Sequence, residues 1–467
     1  MKKRSNIFYV VLCFVISLIP FVCMAFAPEA DGTLEKRELA KFPSIVEDGK
    51  FNFDILEELG NYFNDHFAYR QQMVAADALL LDKFGTSSVD SVIRGTDGWL
   101  YYTSTVYDYS GYNTMDDRYA YNVAHTLAQT QKYVQEHGAK FAYVVAPNKN
   151  SLYPEHMPYY LPVVDDENNM DVIRKHLNNM GVNFVDLFPV FDAVDEELYL
   201  MRDSHWNNKG ALLAYNTIMD NLGTEHEDYS SAPYTKAETE YGDLGNMLYG
   251  VAAKPEWNYY YDIEELYTLK TPMQSVEDPL IMTDNPSGEG TLVIFRDSFT
   301  NAMLPFFANE YAKAVFTRGQ PYAVESYMQI HKADTVIIEV GERGNFVLGY
   351  QPPIFTGAVT EITATVSSAA ENNTTLTFEK SKNDTGYYLV QGLIDGYTNY
   401  TDVYVCINGT YYEAFTVTDA QGDNDYGYML YINKNLIDTT ELDISVVINE
   451  NGQYISVCDD TFTITEE

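Results

Sequence analysis

Leu292-Val-Ile-Phe295 runs into Arg296-Asp297-Ser298-Phe299-Thr300-Asn301. Four apolar residues, a charged and polar turn, and the start of a helical pattern follow one another within ten positions. A short uncharged run of this kind fits a strand buried on both faces, as in a parallel sheet. Working outward, four more runs have the same character: Phe141–Ala146, Asn183–Phe188, Ala314–Phe316 and Thr335–Val340. Helical periodicity fills the gaps between them, at Tyr119–Glu136, Met170–Met180, Lys209–Leu222, Asn301–Tyr311 and Tyr322–His331. Strands alternating with helices predict an α/β domain over residues 86–350, its mostly parallel sheet covered on both faces. Sites in such sheets lie at the carboxyl ends of the strands. Ser298 stands at such an end.

The flanks differ in kind. Residues 351–467 open with Pro352-Pro353 and lose all helical pattern. Runs such as Val403–Ile407, Tyr428–Ile432 and Ile444–Ile448 alternate with Gly/Asn turns, which predicts an all-β, sandwich-like accessory domain. It holds no Trp, so the Cys…Trp…Cys pattern of antibody-type domains is absent, and Asn372–Thr375 reads as a turn. Residues 29–85 read as a helical lead-in, with Met73, Ala76, Leu79, Leu80 and Phe84 as the apolar stripe that packs on the next domain. Residues 1–28 combine Lys2-Lys3-Arg4 with an uncharged stretch from Ile7 to Phe26. That stretch exceeds the usual secretory core and is long enough to span a bilayer. Ala25-Phe26-Ala27 resembles a cleavage site, but Pro28 follows it. We therefore expect a transmembrane anchor, with everything after it outside the cytoplasm, in preference to a cleaved signal that releases a secreted protein.

The chain has 467 residues, with 68 acidic against 29 basic side chains and a formal charge of −39. Nucleic acid and anionic lipid, both polyanions, are excluded as partners of the general field. Eighteen acids and three lysines place −15 of this charge on residues 351–467. The 40 tyrosines against 3 tryptophans suit either surfaces that meet sugars or a Tyr-rich exported composition. The eight histidines are scattered and the four cysteines have no zinc spacing, so neither a metal nor a cofactor is expected. Cys406 and Cys458 fit a disulfide or two free thiols equally.

Ser298, at a strand-to-helix turn, offers an exposed hydroxyl beside backbone N–H groups that could receive an oxyanion. A serine needs a base to become nucleophilic. Arg202-Asp203-Ser204-His205-Trp206-Asn207 supplies one: His205 could take the proton, and Asp203 could hold the other ring N–H. Singly, each piece has a plainer reading. Asp297-Ser298 and Asp203 both fit helix N-caps, and His205 a surface residue. Together, in an exported α/β domain, they favour a Ser298–His205–Asp203 triad.

The ordered blocks along residues 35–345 add to this. Glu35–Pro43, Asp65-His66-Phe67…Arg70, Gly95-Thr-Asp-Gly98-Trp99-Leu100, Pro147-Asn-Lys149…Tyr153-Pro154, Asp203-Ser-His205-Trp206, Asp297-Ser298-Phe299 and Glu339…Glu342-Arg343 resemble the DHHW family. They also resemble the wider group of extracytoplasmic SGNH-hydrolase-like proteins of the alginate O-acetylation type. The resemblance implies a three-layer α/β/α domain and a triad of Asp203, His205 and Ser298. It implies acetyl transfer to a hydroxyl of a polysaccharide or cell-wall glycan, with a membrane-bound O-acyltransferase as partner. Acetylesterase chemistry with the same triad, and a non-catalytic glycan-binding role, are the alternatives. Lys149, Tyr153 and Arg343 are the substrate-binding candidates, a salt bridge or core tyrosine being their plainer reading. Two departures stand out: Ser204 in place of the first His of DHHW, and Arg296 where many nucleophile blocks have Gly.

Overall fold

The structure is a computed structural model that describes residues 2–24, 26, 39–47, 50–112, 114–165, 167–369, 374–394, 401–418 and 426–464. All five expected strands join one seven-stranded sheet. Its strands are β1 (Lys140–Ala146), β2 (Phe184–Asp186), β3 (Thr268–Leu269), β4 (Leu280–Asp284), β5 (Thr291–Phe295), β6 (Lys313–Thr317) and β7 (Thr335–Gly341). The order is β2-β1-β7-β5-β6-β4-β3. β2, β1, β7, β5 and β6 are parallel. β4 runs antiparallel to β6, and β3, at the edge, runs antiparallel to β4; the sequence pattern revealed neither.

Alternation along the strands explains the two covering layers. Phe141, Tyr143, Val145, Val293, Phe295, Val336 and Ile338 point to one side. There they pack with Ala120, Val123 and Leu127 of the helix Asp117–Glu136, Ile173 and Leu177 of Asn169–Met180, and Met328 of Val324–His331. Ala142, Val144, Leu292, Ile294, Ala314 and Ile337 point to the other, against the helices Asn208–Asn221 and Leu304–Glu310. The α/β/α layering follows from these two clusters.

The C-terminal domain is β-rich, as expected, and forms a nine-stranded sheet. The path folds over at Thr410–Val417. The first half of that strand pairs with Asp402–Ile407 and its last three residues with Gly427–Asn433. Val403, Val405, Ala414, Leu430, Ile444 and Val446 fill the space between the two halves. Cys406 and Cys458 are free thiols. They pair with Ser445 and Val446 from opposite sides of the intervening strand. Two strand spacings, roughly 9.5 Å, exceed the ~7 Å that a disulfide bridges.

The N-terminal part departs from expectation. Lys2–Cys23 is helical, but the expected transmembrane helix is not found: among the described residues no helix is long and apolar enough to cross a membrane. Ala25, Ala27 and Pro28 of the cleavage-like site, Glu35–Glu38 of the first family block, and Asn372-Asn373 lie outside the described residues. The lead-in has two helices, Ile55–His66 and Arg70–Asp82. The second buries Ala75 and Ala78, whereas Met73, Leu79, Leu80 and Phe84 are exposed. The expected stripe therefore faces outward. Small side chains let this helix approach its neighbour closely, and periodicity alone could not distinguish that face from the bulkier one.

Candidate active site

Ser298, His205 and Asp203 meet beyond the carboxyl end of β5. Ser298 Oγ lies 2.6 Å from His205 Nε2. His205 Nδ1 lies 2.6 Å from Asp203 Oδ1. A carboxylate can only accept, so Nδ1 carries the proton and Nε2 accepts from the serine hydroxyl. Neither Ser298 nor Asp203 acts as a helix cap. Ser298 makes no side-chain cap on the short helix Phe299–Ala302. Asn207, not Asp203, caps the helix Asn208–Asn221, its side chain accepting from the N–H groups of Lys209 and Gly210.

The turn before Ser298 is held from below. Asp297 accepts from Phe299 N–H at 2.8 Å and from Gly341 N–H, at the end of β7, at 2.6 Å. A Cβ on Gly341 would stand 3.0 Å from the Asp297 carboxylate, so glycine permits this approach. Asp297 N–H in turn donates to Glu339 at 3.1 Å. Burial, and then the Asp297 charge, push the Glu339 carboxyl well above its usual range. Arg296 does not intrude on the serine. Its guanidinium donates to the carbonyls of Val276 and Asp278 at 2.9 and 3.0 Å and to Asn301. The expected pool of free helix N–H groups is thus smaller than the sequence suggested. The Ser298 N–H is left without a hydrogen-bond partner among the described residues.

His205 sits in the turn between Leu198 and Asn207, and that turn is clamped by the motif blocks. Lys149, just past the end of β1, is buried and donates to the carbonyls of Leu200, Met201 and Asp203 at 3.1, 3.0 and 2.5 Å. Burial pulls its ammonium down to about 8. Its charge also lies over the rings of Trp99 and Tyr101. Tyr153 accepts from Leu198 N–H at 2.8 Å through its hydroxyl. Leu100 N–H donates to the Met201 carbonyl at 3.0 Å. Trp206 Nε1 donates to the Phe299 carbonyl at 3.1 Å, tying the histidine turn to the serine turn. Glu256 accepts from the N–H groups of Met201 and Arg202, and burial raises its carboxyl to about 7. Lys149 and Tyr153 therefore act on the loop. All three ammonium protons are spent on backbone carbonyls.

Arg343 differs. It is half-buried, with its guanidinium 5.5 Å from the Phe299 ring centre and 5.7 Å from that of Tyr102. It has no hydrogen-bond or ion-pair partner among the described residues, so it keeps its place among the substrate-binding candidates. Burial draws the His205 imidazole down, but the charge and hydrogen bond of Asp203, with Asp243 beside it, outweigh burial and raise it; Arg343 opposes them. Burial resists ionisation of Asp203, yet the His205 charge and its hydrogen bonds hold it well below the usual carboxylate range.

Asp243 is the site residue that sequence reasoning missed. It begins the short helix Asp243–Tyr249, 40 positions from Asp203, in a stretch with no strong periodicity. Asp203, His205 and Asp243 bring three metal-capable atoms within 4.8 Å of one another. The donor set speaks for a proton network instead. The carboxylate oxygens are already engaged by the N–H groups of His205, Asp243, Ser204 and Leu244 and by the Ser204 hydroxyl. A cation would have to displace these donors.

The α/β domain is SGNH-hydrolase-like, and its partly buried serine–histidine–aspartate line lies at the carboxyl edge of the parallel sheet. Residues 92–287 match the family model of the SGNH hydrolase-like domain of the acetyltransferase AlgX. The match spans Asp203 and His205 and ends before Ser298. The resemblance read from the sequence blocks is borne out at this level. Among solved structures, Bacillus cereus PatB1 is similar, at 19% identity over 55% of this chain and 96% of that one, with a TM-score of 0.45. A DHHW family protein from Eubacterium siraeum is similar at 17% identity over 56% and 93% of the two chains, TM-score 0.42. The O-acetyltransferase domain of Pseudomonas putida AlgJ is similar at 14% identity over 55% and 92%, TM-score 0.39. No curated protein matches the chain.

Proposed function

We propose that this protein is a serine-dependent O-acetyltransferase whose acceptor is a hydroxyl of an exported or cell-envelope polysaccharide. The observation that carries the reading is the position of His205, 2.6 Å from Ser298 Oγ on one ring nitrogen and 2.6 Å from Asp203 on the other. In the first half-reaction Ser298 Oγ attacks the acetyl carbonyl while its proton passes to His205 Nε2. The tetrahedral oxyanion faces the Ser298 N–H. The intermediate collapses, and the imidazolium returns the proton to the departing oxygen of the donor. In the second half, an acceptor hydroxyl gives its proton to His205 and attacks the acetyl-Ser298 ester. A new acetyl ester forms and the Ser298 hydroxyl is restored. Asp203 remains ionised throughout and stabilises the imidazolium.

Acetyl transfer in preference to hydrolysis is supported by the acetyltransferase description of the matching family model. A location outside the cytoplasm rests on Lys2–Arg4 followed by the apolar stretch Ile7–Phe26. The test supplies the chain with an acetyl ester, with and without glycan acceptors, and compares Ser298→Ala. We expect acetylated glycan from the wild type and turnover reduced by about 10³-fold or more in the variant. Free acetate alone would make the enzyme an esterase. Undiminished turnover in Ser298→Ala would remove the serine mechanism.

A further inference from the structure

Asp243 approaches the histidine from the far side of its turn. Oδ1 accepts from the N–H groups of Ser204 and Leu244, both at 2.7 Å. Oδ2 accepts from the Ser204 hydroxyl at 2.7 Å and stands 3.8 Å from His205 Nδ1. In return, Asp243 N–H donates to Asp203 Oδ2 at 2.7 Å. The Asp203 carboxylate is therefore tied to the Asp243 backbone and the Asp243 carboxylate to the Ser204 backbone, and Asp243 is only 9% exposed. Gly242 lies directly on the Arg202 carbonyl, where a Cβ would collide. The absence of that side chain lets the helix start sit against the turn.

The Ser204 hydroxyl has one proton, and Asp243 Oδ2 takes it. Ser204 Oγ therefore turns a lone pair toward His205 Nδ1, 3.3 Å away. Nδ1 faces two acceptors, Asp203 Oδ1 and Ser204 Oγ, and no donor. Only the Nδ1–H tautomer satisfies both, and that tautomer leaves Nε2 free for the Ser298 proton.

We propose that Asp243 is a positioning residue for His205, acting through the Ser204 hydroxyl to hold the imidazole in the tautomer that can accept from Ser298 and setting a second anion beside the imidazolium. The inference rests on the acyl-transfer reading of the same site. The charged groups that face the ring are Asp203 on its own turn, Asp243 at the start of the helix Asp243–Tyr249 and Arg343 beyond β7. The Asp203 charge is also felt by Lys149 and Glu256. Of these, Asp203 and Asp243 favour the protonated ring and Arg343 disfavours it.

Asp243→Asn keeps the shape and inverts the hydrogen bond. The amide oxygen must stay on the N–H groups of Ser204 and Leu244, so the NH2 donates to Ser204 Oγ. The Ser204 proton is then released toward Nδ1, against the useful tautomer. Two measurements on the full chain test this. One is the NMR titration of the His205 imidazole, which needs no turnover. The other is the pH dependence of the p-nitrophenol burst from p-nitrophenyl acetate. In Asp243→Asn we expect the His205 midpoint to fall by about half to one pH unit. We expect the plateau acylation rate to fall about tenfold with KM unmoved. Ser204→Ala removes the relay and keeps the anion, so its plateau should fall with a smaller shift of the midpoint. A midpoint and plateau equal to wild type in Asp243→Asn would overturn the proposal, as would rate losses in both variants with an unmoved midpoint. If Asp243→Asn does not fold, an undiminished plateau in Ser204→Ala overturns it. A wild type with no Ser298-dependent burst sinks the acyl-transfer reading, while the His205 titration still decides the role of Asp243.

Discussion

Arg343 is the charged group facing His205 that disfavours its protonation. Burial opposes protonation of the imidazole most, two carboxylates outweigh it and raise the proton affinity, and the half-buried guanidinium beside Phe299 adds to the opposing side. A general base works in its neutral form, so activity rises with pH as His205 loses its proton. Replacing Arg343 by Met removes the opposing charge and leaves a chain of similar length. His205 then holds its proton to higher pH. The acidic limb of the kcat/KM profile should move to higher pH by about half a unit or more, with the alkaline plateau nearly retained. An unmoved limb would place Arg343 outside the electrostatics of the site. A plateau that collapses instead, with KM raised, would assign the guanidinium to substrate. At this scale the sequence was informative where chemistry is local. Asp203 and His205 share one turn, and Ser298 follows a strand. Asp243 was not legible, because its role depends on a chain approach at Gly242 that no spacing announces.

The turn that carries His205 has no regular structure of its own; its shape is imposed by what surrounds it. Lys149 gathers three carbonyls, Tyr153 takes an N–H, Leu100 donates to Met201, and Glu256 collects two further N–H groups. Removing the ammonium leaves three carbonyls to find water or move. Lys149→Met should therefore cost about a hundredfold in kcat/KM, the size of effect that a misplacement of roughly 1 Å produces. The pH dependence of stability checks the same clip. Burial lowers the Lys149 ammonium from 10.5 to about 8. Between those pH values the unfolded chain binds this proton more tightly than the folded one. The contribution of Lys149 to stability is therefore least favourable below pH 8, rises between pH 8 and 10.5, and is constant above. Urea unfolding of the wild type and Lys149→Met over that window should differ by this slope; parallel curves would mean that the lysine is not buried as a cation. The elements themselves were legible in unequal degree. Five buried strands and the long amphipathic helices gave strong patterns. The edge strand β3 has two exposed residues and β4 beside it alternates buried with more exposed ones, so neither shows a continuous apolar run. The helix Arg70–Asp82 packs through Ala75 and Ala78, which a search for bulky stripes passes over.

The boundary at residue 351 marks a change of secondary structure without a break in the core. One apolar cluster runs from Val123, Leu127 and Val145 of the α/β domain through Ile354 and Phe355 to Leu389, Phe415, Val417 and Tyr431 of the β-rich domain. Polar side chains on the same helix complete the seam: His125 meets Thr416 Oγ1 at 3.0 Å, and Gln129 donates to the Ala414 carbonyl at 3.1 Å. Burial disfavours the charged form of His125 in this seam. Much of the tyrosine excess is spent in these interiors: Tyr143, Tyr199, Tyr215 and Tyr428 are buried, which gives those rings a packing role independent of any sugar. The acid excess is carried differently: the last quarter holds −15 of the −39 charge on a domain bound to its neighbour by apolar packing. Attachment by apolar area should make the two domains unfold together, whatever the salt concentration. Phe415 tests this, because its ring is buried and packs edge-on against Phe355 with centroids 5.1 Å apart. Phe415→Ala should cost about 3–5 kcal/mol. Since the cluster is shared, the calorimetric trace should remain a single transition moved to lower temperature. Acetyl-ester turnover should be lost at that same temperature. A trace that separates into two transitions, with turnover following only the higher one, would show that the β-rich domain is an appendage and that the α/β domain holds its site unaided.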